Sequence, residues 1–74
     1  MQVIKLNHSL EALAEALRDG AKVLAVGSHE SGCGYWYEIC KTECGIIQAH
    51  ESGRIILTAQ TVASMRNVEY MAII

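Results

Sequence analysis

The chain has 74 residues and a mass of 8.1 kDa, which is enough for one domain and too little for two independent cores. Hydrophobic residues make up 51% and charged residues 19%, too apolar a balance for a disordered chain. Six Lys and Arg against eight Asp and Glu leave a net charge of -2, and Lys5, Arg18, Lys22, Lys41, Arg54 and Arg66 stand singly, so no concentrated field exists to hold a nucleic-acid backbone.

Gln2 to Leu6 alternates around Lys5 and suits a first strand. Asn7, His8 and Ser9 then offer helix-capping chemistry. Leu10, Leu13, Ala14 and Leu17 recur at helical spacing with Glu11, Glu15 and Arg18 on the other side, and Gly20 follows as a stop. This predicts an amphipathic helix from about Leu10 to Asp19, whose acidic side, with Glu11, Glu15 and Asp19, reads as a solvated face.

Beyond Gly20 the period becomes strand-like. Lys22 to Val26, Tyr35 to Cys40, Ile46 to His50 and Ile55 to Ala59 are β-rich and bounded by Gly, Ser or charged residues, which predicts a meander. Thr58 to Asn67 has Val62 and Met65 at helical spacing, with Asn67 as a left-handed stop, and predicts a short helix. Val68 to Ile74 reads as a last strand. The whole chain, residues 1–74, is expected to be a single α+β domain. It would hold a largely antiparallel sheet of five to six strands, one amphipathic helix on one face and a short second helix.

The stretch His29-Glu30-Ser31-Gly32 recurs as His50-Glu51-Ser52-Gly53, twenty-one positions later. Each copy lies between two predicted strands and ends in a Gly suited to positive φ, so both read as hairpin connections. In a meander the two tips come to one edge of the sheet about 10 Å apart, with Cys33 just behind the first. His29, Glu30, Cys33, His50 and Glu51 are therefore the candidate ligand-binding set, with zinc as the candidate ion.

The pattern argues against a structural zinc site in other respects. No C-x2-C occurs, and Cys33 and Cys40 would lie about 20 Å apart along an extended strand. Cys40 and Cys44 would flank the opposite turn, formed by Lys41, Thr42 and Glu43. Three cysteines, an odd count, point to reduced thiols rather than a disulfide framework, and whether Cys40 and Cys44 pair is left open. Gly32-Cys33-Gly34 with His29 resembles a thiol and base in outline, but no concave pocket is expected to serve it. Gly27, Gly32 and Gly34 lack the G-K-[ST] ending and the following helix that a phosphate loop requires.

Tyr35, Trp36 and Tyr37 carry the strongest recognition signal. In a strand Tyr35 and Tyr37 point to one face and Trp36 to the other, while Leu24 and Val26 oppose Val23 and Ala25 in the preceding strand. A sheet apolar on both faces needs something over its second face when the chain has one long helix. Tyr35, Trp36, Tyr37 and Tyr70 are the candidate partner-binding residues.

A domain this small buries only about 60% of its unfolded surface, the chain has no proline, and it closes on Ala72, Ile73 and Ile74. These features point to a homo-oligomer. Apolar runs such as Met71 to Ile74 fall far short of the roughly 20 residues of a membrane span, and no basic stretch followed by an apolar one opens the chain. The expectation is a soluble cytoplasmic protein. It would be a non-enzymatic module that self-associates and binds another macromolecule, as an adaptor or inhibitor does. The alternative is a ligand- or metal-binding protein built on the two tips and Cys33.

Overall fold

The computed structural model describes residues 1–28, 34–50 and 53–74, with the backbone alone for Ser28 and His50. Its elements are β1 (Val3–Leu6), α1 (Leu10–Arg18), β2 (Lys22–Ser28), β3 (Gly34–Thr42), β4 (Gly45–His50), β5 (Gly53–Ile56), α2 (Ala59–Ser64) and β6 (Val68–Ile73). The six strands form one antiparallel sheet in the order β1-β6-β2-β3-β4-β5, and the fold is α+β.

The apolar stripe of α1 drives its position: Leu13 is fully buried, and Leu10, Ala14 and Leu17 pack around it on the sheet. The helix ends as the glycine predicts. Asp19 is the C-cap and Gly20 has φ +86°, with Gly20 N–H donating to the Leu17 carbonyl and Ala21 N–H to the Ala16 carbonyl, both at 3.1 Å. These two bonds are the paired closure of a Schellman motif, which a Cβ at Gly20 would strain. At the other end Ser9 occupies the N-cap in extended conformation, but its side chain makes no capping bond. His8 turns elsewhere, as described below.

The central strands form the predicted meander β2-β3-β4-β5. Cys40 pairs with Ile47, and Thr42 with Gly45 closes the β3–β4 hairpin over Glu43 and Cys44. Thr42 Oγ1 donates to the Gly45 carbonyl at 2.9 Å and accepts from the Cys44 amide at 3.2 Å, so one hydroxyl ties both sides of the turn. In the β4–β5 hairpin His50 pairs with Gly53, whose φ of +145° is the conformation expected for the last residue of the second repeat. Residues 29–33 and 51–52 lie outside the described residues, and with them the first repeat and the centre of the second.

The strands β2 and β3 run one or two residues beyond the sequence reading, and the larger differences fall around β5 and α2. β5 stops at Ile56, and Ala59, expected in that strand, opens α2. The cause is local: Thr58 Oγ1 accepts from the Thr61 amide at 3.1 Å, an N-cap that converts a β-rich run into a helix start. Asn67 does not adopt a left-handed conformation, since no described non-glycine residue has positive φ. α2 ends at Ser64 instead, with Met65 as C-cap.

β6 enters between β1 and β2, pairing Tyr70 with both Leu6 and Ala25. Its alternation then sorts the sheet. Val68, Tyr70 and Ala72 point to the helices with Val23, Ala25, Ile39 and Ile46, and with Leu13, Leu57 and Val62 they make the core. Gln48, 1% exposed, is the one buried polar residue among the described residues. The shortest molecular axis is 21 Å, which accommodates one sheet and one helix layer of about 10 Å each, and no third layer among the described residues.

Candidate functional site

The helices lie on one side of the sheet, and among the described residues no element packs over the other, although Ile47 on that side is only 7% exposed. On the open side Lys5, Met71 and Leu24 stand in one row across β1, β6 and β2. Glu69, Val26 and Trp36 stand in the next, and Cys40, Ile47 and Ile56 form a third across β3, β4 and β5. Trp36 is 61% exposed and Ile56 56% exposed, while Leu24, Val26 and Met71 are half-buried by their neighbours alone.

Charge lies within this surface as well as at its border: Glu38 is opposite Leu24, between Trp36 and Cys40 along β3, and Lys22 is opposite Ile73. Lys5 Nζ and Glu69 Oε1 pair at 2.9 Å beside β1.

The aromatic residues divide between the faces as strand alternation requires. Trp36 is on the open side. Tyr35 and Tyr37 are on the helix side, half-buried, with ring centroids 5.3 Å apart. Tyr35 lies directly over Gly27: a Cβ there would come within 2.6 Å of its hydroxyl oxygen, so the ring occupies the space a side chain would need. Asn67 Nδ2 donates to the Tyr35 hydroxyl at 3.4 Å and holds the ring in place.

Tyr70, grouped with these residues on sequence, is a core residue with 0% exposure and has no surface to offer a partner. Its hydroxyl donates to Met65 Sδ at 3.5 Å, and the His8 ring meets it edge-on with centroids 5.3 Å apart. His8 Nε2 is 2.8 Å from the Val68 carbonyl oxygen, which only accepts, so Nε2 carries the proton. His8 thus clamps the start of β6 to the segment before α1. Burial pushes the Tyr70 phenol above its ordinary pKa.

Cys40 and Cys44 are both exposed free thiols, which settles their pairing. Cys40 is on the open face, and Cys44 is in the hairpin turn, where it lines a shallow hollow with Glu43 and Arg54. Of the candidate ligand set, His29, Glu30, Cys33 and Glu51 lie outside the described residues, as does the side chain of His50. Among the described residues no three His, Cys, Asp or Glu side chains gather as a metal site would require.

Strand alternation separated Leu24 and Val26 from Val23 and Ala25, and Trp36 from Tyr35 and Tyr37, without telling which set the helices leave uncovered, and it missed Met71 and Ile73. Their signal was present in the alternation of β6, where Glu69, Met71 and Ile73 interleave with buried Val68, Tyr70 and Ala72. No described helix is long and apolar enough to cross a membrane. Comparison with protein-family models, characterised proteins and solved structures finds no match to the chain.

Proposed function

We propose that this chain is a small non-enzymatic interaction module that self-associates through the open face of its sheet, with Trp36 as the anchor, and presents its remaining surface to another macromolecule. The observation that carries this reading is the apolar surface of Leu24, Val26, Trp36 and Met71 on a face over which no described element packs.

A second copy is the occupant favoured by size and charge. Six strands at about 4.8 Å spacing and about six residues of strand length give a face of roughly 25 Å by 20 Å, or ~500 Å2 in plan. Two such faces bury about 1,000 Å2, the area at which specific interfaces separate from incidental contacts. Lys5 and Glu69 at the border already pair with each other, so a face-to-face pairing leaves neither charge unmatched. The product would be two sheets stacked about 10 Å apart with strands crossing at about 30° and helices on the outside.

Sedimentation equilibrium on the full chain tests this. The wild type is expected to be a dimer, and Trp36→Ala to weaken association by about 30-fold or more while the monomer keeps its circular dichroism spectrum. A monomeric wild type, or a dimer indifferent to Trp36, overturns the reading.

A further inference from the structure

The opposite side of the molecule holds a second feature. α1 packs chiefly on β2, β3 and α2, and among the described residues no element fills the strip between α1 and the edge strand β1. There a groove of about 260 Å3 is lined by Ile4 and Leu6 of β1 and by Ala12, Glu15, Ala16 and Asp19 along α1. Ala12 and Ala16 are one turn apart, and their short side chains stop short of β1. Small-molecule sites begin at roughly 300 Å3, so this space suits one or two side chains rather than a cofactor.

Its charge is one-sided. Glu15 and Asp19 flank the groove at the C-terminal end of α1, where the helix dipole is itself negative. Among the described residues neither is in an ion pair. Both carboxylates are exposed and give the groove a single sign of charge, which a cationic side chain would complement.

The backbone beside the groove is also open. Gln2 and Ile74 exchange both hydrogen bonds, at 3.2 and 2.9 Å, so the ladder alternation turns Ile4 and Leu6 toward β6 and directs the N–H and C=O groups of Val3 and Lys5 outward. Such an edge is a template for an added strand.

We infer that β1 accepts an extended basic segment of another polypeptide as a further strand, with a Lys or Arg laying its methylene stem across the groove and its charge against Glu15 and Asp19. The spacings agree: residues on one side of a strand recur at about 6.6 Å, and the two acids are separated by about 6 Å of helix rise. A second copy fits less well. Pairing β1 with itself would bring Ile4 and Leu6 over the groove, while Lys5 stays on the other face with Glu69 and leaves the carboxylates unmatched. The site is on the opposite side of the sheet from Trp36, so it stands or falls independently of face-to-face association.

Fluorescence anisotropy with a synthetic peptide of alternating Lys and Thr tests the inference. Saturable binding is expected, with none for the alternating Glu and Thr peptide. Glu15→Gln with Asp19→Asn should weaken binding by about tenfold or more. Glu11→Gln with Glu43→Gln, the same charge change elsewhere, should alter it by less than about twofold. Methylating the backbone nitrogens that face β1 in the peptide should abolish binding without touching the protein. The inference is overturned if the basic peptide does not bind, if both double variants weaken it equally, or if N-methylation has no effect. It is also overturned if Val3→Pro converts a dimer to monomer while the peptide fails to bind, since the edge then belongs to a second copy.

Discussion

Replacing Gly27 by Ala probes how tightly the aromatic pair is fitted to the sheet. An added Cβ would stand 2.6 Å from the Tyr35 hydroxyl oxygen, 2.7 Å from its Cζ and 3.1 Å from the Asn67 carbonyl oxygen. Apolar contacts settle near 3.5 to 4.0 Å, so the ring must withdraw by about 1 Å. It then leaves the Asn67 amide and disturbs its packing against Tyr37. Overpacking of this kind costs about 1–3 kcal/mol, and the lower chain entropy of Ala in the unfolded state returns about 0.5–1 kcal/mol. The net loss of about 1–2 kcal/mol corresponds to a fall in Tm of roughly 5–15 °C for a domain this size. Urea denaturation followed by circular dichroism measures it, and a cycle with Tyr35→Ala isolates the cause: the cost of the Gly27 change should largely vanish when the ring is gone. An equal cost in both backgrounds would refute the reasoning.

Thr58→Ala should destabilise the protein by about 1 kcal/mol and Thr58→Ser much less, because only a hydroxyl can accept from the Thr61 amide; urea midpoints compare them. Tyr70 has a raised pKa in the folded chain, so its contribution is complete below the ordinary tyrosine value near pH 10 and is lost as pH rises through the folded value. Wild type should therefore lose stability above about pH 10 more steeply than Tyr70→Phe while the two run parallel below it, and parallel curves throughout would refute the linkage. Cys40 on the open face should alkylate more slowly as protein concentration rises, while Cys44 in the turn keeps its rate; peptide mapping by mass spectrometry reads both.

The elements most readable from sequence are those set by local chemistry. The Leu10, Leu13, Ala14, Leu17 stripe and Gly20 define α1 within one residue, and the opposed positions of Tyr35 and Trp36 follow from strand alternation alone. The start of α2 was harder to read, because Ile55 to Leu57 favour a strand and the Thr58 cap that ends it is a single hydroxyl contact. Burial of Tyr70 depends on β6 lying between β1 and β2, a pairing across most of the chain that leaves no local mark. The groove beside α1 was equally hidden: Ala12 and Ala16 look like ordinary helix formers until the helix is seen to sit over β2 and β3 rather than β1.

The insertion of β6 also sets the order in which the molecule can be assembled. The hairpins from β2 to β5 join neighbours in sequence and need only short loops to close, whereas β1 has no partner and β2 keeps one bare edge until β6 arrives. During synthesis β6 leaves the ribosome after every other strand of this sheet, so the centre of the sheet closes only then, and the edge of β2 is exposed to misassociation throughout that interval.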